Sequence, residues 1–224
     1  MATYIQSMNA FVLAGGRSTR MGRYKALIEF RGRPLIEHAL DKLRALGFAP
    51  RIAGSREDLS AFAPVIPDNY GPDNYTALGP LAGIEAALAA GNEELSLFLP
   101  VDLPLLPVEF LRWMSDRAMQ TAALATIPRL QGWPQPLCAV YHRALLPHAR
   151  AALAASDAKV MRAVEHAAAE THLNIDAFDI ETIASSLSPA SGWGEASAVH
   201  RWFQNLNTPA DLQKAALEES PFIH

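Results

Sequence analysis

AFVLAGGRSTRMGRYKAL, residues 10–27, runs from five apolar side chains through a glycine pair and four cations, Arg17, Arg20, Arg23 and Lys25, into apolar sequence again. A continuous apolar run closed by Gly15-Gly16 predicts a strand buried on both faces, the kind found inside a parallel sheet covered by helices. Working outward, Leu35, Ile36, Ala39, Leu40, Leu43 and Leu46 recur at helical spacing, with Pro34 in the first turn and Gly47 as the stop. PRIAG and APVIPD predict two short strands, GPLAGIEAALAAG a helix from Pro80 to Gly91, LSLFLPVD a second buried strand, and PVEFLRWMSDRAM the helix after it. Strand and helix alternating in this way build parallel βαβ units. The predicted fold is therefore α/β, a doubly wound, mostly parallel, Rossmann-like sheet.

Past Thr121 the rhythm loosens. AALATIP and PLCAVYH read as strands joined through RLQGWPQ, a small antiparallel excursion at one edge. Helices are predicted over 144–155 and 159–169, and SSLSPASGWGEAS (185–197) is a loop without period. RWFQNL reads as a short last strand. TPADL opens a final helix, with Thr208 as N-cap, Pro209 next and Asp211 in the first turn.

A formal charge of −4 on 224 residues, half of them hydrophobic and 19% charged, is ordinary globular composition. It leaves no bulk attraction for a phosphate backbone, so nucleic acid is not an expected partner. Cys138 is the one cysteine, which excludes an internal disulfide and suits a reducing compartment. No apolar run approaches the roughly 20 residues of a membrane span, and MATYIQSMN has neither basic patch nor signal core. A cytoplasmic protein without membrane association is expected.

The local concentration of positive charge in a mildly acidic chain calls for an anion. A P-loop is excluded, because Gly16 and Gly22 enclose five residues and Lys25 does not follow the second glycine directly; a dinucleotide fingerprint is excluded by the glycine spacing. Glycines still let backbone N–H groups converge on an anion. Arg supplies a bidentate fork and Lys a point charge, a natural pair for a polyphosphate. A solvated basic turn is the other reading of Arg17 and Arg23, whereas the apolar ALIEF after Lys25 would hold that amine near the sheet. In a parallel sheet, ligands bind at the carboxyl ends of the strands. Asp68 follows PVI and Asp102 follows LFLPV, so both carboxylates would meet the cationic loop on one rim. Asp102 sits in PVDLPLLP, where prolines stiffen the turn. It reads either as a magnesium ligand facing phosphates or as a carboxylate stabilising a helix N-terminus.

These residues carry a resemblance. LAGGRSTRMGRYKAL is similar to the nucleotide-binding signature of the family containing molybdenum cofactor guanylyltransferase, within the nucleoside-triphosphate transferases; VIPD, GPLAGI, PVDLPLLP and FQNLNTPADL agree in order. The resemblance implies a Rossmann-like nucleotidyltransferase fold, GTP as donor, molybdopterin or molybdenum cofactor as acceptor, and Mg²⁺ as cofactor. It implies one domain over residues 1–224, with a nucleotide half at about 9–120 and an acceptor-side half at about 121–217. Carried over by position, Leu13, Ala14, Gly15 and Gly16 would contact nucleotide through backbone and Lys25 the phosphates. Asp68 would lie on the base or ribose side, and Asp102 would hold the metal. Arg20 and Lys25 would stabilise the transferred phosphate and the departing pyrophosphate, and Asn205 and Asn207 would face the pterin. Gly15 stands where cytidylyltransferase relatives usually have Ala.

The sequence also departs from the pattern. Val101 replaces a usual Cys, Ser55 stands in for an Asn after the second strand, Asp73 competes with Asp68, and the Ser/Gly loop is long. Rival readings are a cytidylyltransferase, a sugar- or polyol-phosphate nucleotidyltransferase, and a non-catalytic nucleotide binder acting as assembly partner of a molybdoenzyme. Elsewhere, the seven His show no metal-ligand spacing, with His142 and His148 read as surface or turn residues. Cys138 reads as a small buried apolar residue, Trp133 as a buried loop anchor or a residue of the substrate mouth. Arg162 reads as a solvated helix position or a contact to the acceptor's phosphate.

Overall fold

The computed structural model describes residues 8–14, 24–54, 56–67, 79–186 and 199–206, together with 211 and 215. The chain enters through β1 (Met8–Leu13), whose six residues are all buried. Its side chains alternate between two cores, as the two-residue period of a strand requires. Met8, Ala10 and Val12 join one hydrophobic cluster, Phe11 and Leu13 the other.

A hairpin of β2 (Glu29–Phe30) and β3 (Arg33–Pro34) follows, absent from the sequence prediction because each strand has only two residues. Arg31 and Gly32 turn it at φ 52° and 75°. Two successive positive φ values are what a two-residue hairpin turn of matching twist requires. Pro34 then precedes α1 (Leu35–Ala45) as its N-cap rather than lying in its first turn. β4 (Arg51–Ala53) and β5 (Val65–Ile66) lead to α2 (Gly79–Ala90), β6 (Leu95–Pro100) and α3 (Val108–Thr121). β6, β1, β4 and β5 are consecutive neighbours and all parallel.

The remainder comprises β7 (Ala125–Leu130), β8 (Trp133–Pro134), β9 (Ala139–His142), α4 (Leu146–Ala154), α5 (Val160–Thr171), β10 (Ile175–Asp179), α6 (Ile180–Ser186) and α7 (Val199–Trp202). The main sheet runs β10-β7-β9-β6-β1-β4-β5, with β8 paired to β7. The antiparallel strand is thus not marginal: β9 lies between β6 and β7, antiparallel to both, while β10 runs parallel to β7 and forms the edge. Aromatic rings hold this junction. Phe11 stacks on Phe98 at 5.4 Å and Phe98 meets Tyr141 at 5.7 Å, a row crossing β1, β6 and β9. Burying Tyr141 on this face gives β9 an interior place.

RWFQNL is not a strand. Val199 and Trp202 lie in α7 and Phe203 follows it, so the helical spacing i, i+3, i+4 turns all three into the core. The rings of Trp202 and Phe203 stand 5.9 and 5.7 Å from that of Phe110. The expected final helix falls outside the described residues, apart from Asp211 and Ala215, both helical.

Candidate active site

The carboxyl end of β1 is stitched to both neighbours. Val101 donates its N–H to the Leu13 carbonyl at 3.2 Å, and Ala14 donates to the Ala53 carbonyl at 3.1 Å. Leu13 and Ala14 are therefore main-chain groups held on the rim where β1, β4 and β6 end, with side chains only 7% and 1% exposed.

The chain returns to this rim at Tyr24, whose hydroxyl donates to the Ala14 carbonyl. A 3₁₀ turn, Lys25–Leu27, follows; it buries Ala26 fully, as the apolar ALIEF predicts. Lys25 Nζ comes to lie 2.6 Å from Asp102 Oδ2, across 77 positions of sequence. Both side chains are largely sequestered, 16% and 19% exposed, so the pair is a charge-assisted hydrogen bond in a partly dry site. The sequence prediction that one rim unites this amine and this acid matches the geometry.

The other reading of Asp102, as a helix N-terminal carboxylate, fails. α3 begins at Val108, with Pro107 as N-cap and Glu109 as the acid of its first turn. Between them, Leu103 and Leu106 are buried and Leu106 donates to the Leu103 carbonyl at 3.3 Å, a compact turn that fixes the preceding aspartate. The Asp102 carbonyl in turn accepts the Leu206 N–H at 3.3 Å. That bond brings exposed Asn205 to the Asp102 turn. Gly15, Gly16, Arg17, Arg20, Arg23, Ser55, Asp68, Asp73 and Asn207 lie outside the described residues.

Two neighbours of the site were not read as belonging to it in the sequence. Tyr24 also carries the Arg56 guanidinium 4.6 Å from its ring centre, and Arg56 grips Asp58 through Nε at 2.8 Å and Nη2 at 2.5 Å. The Arg56 hydrogen bonds hold the Asp58 carboxyl below its ordinary value. Cys138 is the second. β9 runs antiparallel to β6 with Phe98 opposite Ala139, so Cys138 comes level with the end of β6. It is 1% exposed, as expected of a small apolar residue; burial, and then the charge of Asp102, push its thiol far above the ordinary range. No sequence signal links it to Asp102, because the link depends on strand register.

Other expectations change. Trp133 anchors nothing: it is 75% exposed beyond β7. Arg162 is on a solvated face, 62% exposed and paired with Asp157 at 2.7 Å. His142 accepts from the Ala144 N–H through Nδ1, a turn role as expected. His148, read as a surface or turn residue, belongs to a compact cluster with His166 and Glu170, a grouping the sequence spacing of the histidines did not reveal.

The fold is that of a nucleoside-triphosphate transferase. It matches molybdopterin-guanine dinucleotide biosynthesis protein A of Archaeoglobus fulgidus with a TM-score of 0.72 at 24% identity, covering 93% of this chain and 97% of that one. The sequence matches the MobA-like NTP transferase domain over residues 10–171, and the chain belongs to that family. It is 30% identical to the molybdenum cofactor guanylyltransferase of Photobacterium profundum over 91% of this chain and 92% of that protein. With the molybdenum cofactor guanylyltransferase of Vibrio cholerae it shares 33% identity over 67% of this chain and 73% of the other. Among the described residues no helix is long and apolar enough to cross a membrane.

Proposed function

We propose that this protein transfers GMP from GTP to the terminal phosphate of molybdopterin or the molybdenum cofactor, releasing pyrophosphate. The observation that carries the reading is the 2.6 Å approach of Lys25 to Asp102 beside the β1 terminus. The similarity to molybdenum cofactor guanylyltransferases over nine-tenths of the chain supports this donor and acceptor over a cytidylyl, sugar-phosphate or non-catalytic reading. In the reaction a phosphomonoester oxygen of the pterin attacks the α-phosphorus of GTP. A new P–O bond forms and the bond to the β-phosphate oxygen breaks. The attacking oxygen is already anionic, so the obstacle is repulsion between two anions, and charge neutralisation with in-line alignment supplies most of the acceleration.

Lys25 would act on the phosphates, exchanging a carboxylate partner for phosphate oxygens, with Arg20 beside it. The Leu13, Ala14, Gly15 and Gly16 backbone would line the nucleotide, and Asp68 its base or ribose side. Asn205 and Asn207 would face the pterin. Asp102 fits a magnesium ion. It is one partly exposed carboxylate on the rim, and among the described residues it shares no group of three potential ligands. Mg²⁺ takes one or two carboxylates and fills its other positions with phosphate oxygens and water. Bound there, the ion would neutralise charge on the triphosphate. The single cysteine, Cys138, suits a reducing compartment and favours a cytoplasmic protein, with a molybdoenzyme or its assembly protein as downstream partner.

The test is pyrophosphate release by purified protein with molybdopterin and each of four nucleoside triphosphates, with and without Mg²⁺. Release is expected with GTP and Mg²⁺, and Asp102→Asn or Lys25→Met should lower turnover at least ~100-fold with the fold intact. Turnover with CTP alone overturns the guanine assignment. Full activity of Asp102→Asn at limiting Mg²⁺ overturns the metal role.

A further inference from the structure

α4 and α5 pack on the face of the sheet that holds Phe11 and Leu13, sharing one core through Ala149, Leu153, Val160 and Val164. Where they meet the surface, His148 Nδ1 of α4 lies 3.3 Å from Glu170 Oε2 of α5. His166 Nε2, one helical turn before Glu170, lies 3.4 Å from the other carboxylate oxygen. One ligand atom from each of the three residues falls within 4.8 Å of the others, and the imidazole rings are 6.1 Å apart.

The 3.3 and 3.4 Å approaches, one to each oxygen of Glu170, are of the size that separates neighbouring ligands in a coordination shell. With metal–ligand bonds of about 2.0–2.2 Å, donor atoms at adjacent corners of a tetrahedron stand about 3.4 Å apart. Two imidazole nitrogens and a carboxylate are a donor set of zinc-class ions, whereas Mg²⁺ and Ca²⁺ favour oxygen alone. The donors sit on regular helices, with His166 and Glu170 sharing a helix face at i, i+4, so the fold and not a loop sets their spacing. The His148 side chain is held at 13% exposure, while His166 and Glu170, at 66% and 56%, leave the site open to an ion from solvent. We propose that His148, His166 and Glu170 bind one zinc-class divalent ion that clasps α4 to α5, with a fourth position left for water. The site is separate from the Asp102 rim and independent of the transferase reading.

The experiment titrates full-length protein, stripped with chelator and free of nucleotide, with Zn²⁺ by calorimetry and with Co²⁺ by visible absorption. One equivalent should bind with the intense ligand-field bands of a four-coordinate nitrogen/oxygen site, and Zn²⁺ should raise the melting temperature. His166→Ala, Glu170→Gln and His148→Gln should each weaken binding at least ~10-fold, while Asp102→Asn leaves it unchanged. The first two variants alter exposed positions, so they test the site even where His148→Gln lowers stability. Absence of saturable binding, binding that survives loss of both His166 and Glu170, or loss of binding in Asp102→Asn overturns the proposal. In the first case the three side chains are ion pairs only.

Discussion

Tyr24 donates its hydroxyl to the Ala14 carbonyl and carries the Arg56 guanidinium on its ring, so one side chain sets both a main-chain group and a cation at the rim. A neutral hydrogen bond of this kind contributes roughly 0.5–1.5 kcal/mol. Tyr24→Phe keeps the ring and loses the bond; under the proposed function it should raise the KM for GTP about 2- to 10-fold, with kcat little changed, in steady-state kinetics. Cys138 makes a complementary case. Burial and the nearby Asp102 carboxylate both disfavour its thiolate, the reactive form. In native protein at pH 8 a thiol reagent should label it at least ~100-fold more slowly than in denatured protein. Rapid labelling of the native state would show that the Asp102 turn opens readily.

Between elements, polar side chains packed within or against the core set the tolerances. A Cβ on Gly91, just after α2, would stand 2.7 Å from Asn9 Nδ2 and 3.2 Å from Asn9 Cγ. Asn9 cannot retreat freely, because its amide donates to the Ser96 hydroxyl at 3.3 Å and accepts from Arg51 at 3.3 Å. Gly91→Ala should therefore cost about 1–3 kcal/mol, read as a lower urea midpoint at unchanged slope. Lys42 on α1 is the titrating counterpart. Burial lowers its ammonium from 10.5 to about 8, against the opposing pull of Glu109 on α3 and of Asp41. Between pH about 8 and about 10.5 the unfolded chain keeps a proton that the folded chain has released, so this residue makes stability rise with pH across that window. Lys42→Met should be the more stable protein at pH 7, by about 1–3 kcal/mol, and that advantage should shrink as the pH approaches 10. Paired urea titrations at pH 7 and 10 measure both.

At the scale of the whole molecule, β9 decides how the two halves relate. It hydrogen-bonds β6 on one side and β7 on the other, so the sequence beyond Thr121 extends the sheet of the first half. Both cores draw residues from both halves: Cys138, Val140 and Phe178 in one, Leu124, Tyr141 and Val164 in the other. Urea unfolding should accordingly be one transition, with far-ultraviolet dichroism and tryptophan fluorescence coincident; two separated midpoints would mean the halves fold apart. Helices α1 to α5 and strands β1, β6, β7 and β9 were legible in the sequence because burial on a regular element leaves a period of 3.6 residues or an unbroken apolar run, whereas β10 and α6 went unread and α7 was read as a strand. The Lys25–Asp102 rim was legible for a related reason: parallel strands all end on one side, so a loop after LFLPV must face a loop after AFVLA. Two-residue strands and the inner place of β9 leave no such period. Nor does the meeting of His148 with His166 and Glu170, or of Cys138 with Asp102. Those contacts arise from strand register and helix packing between distant segments, interactions that only the assembled chain possesses.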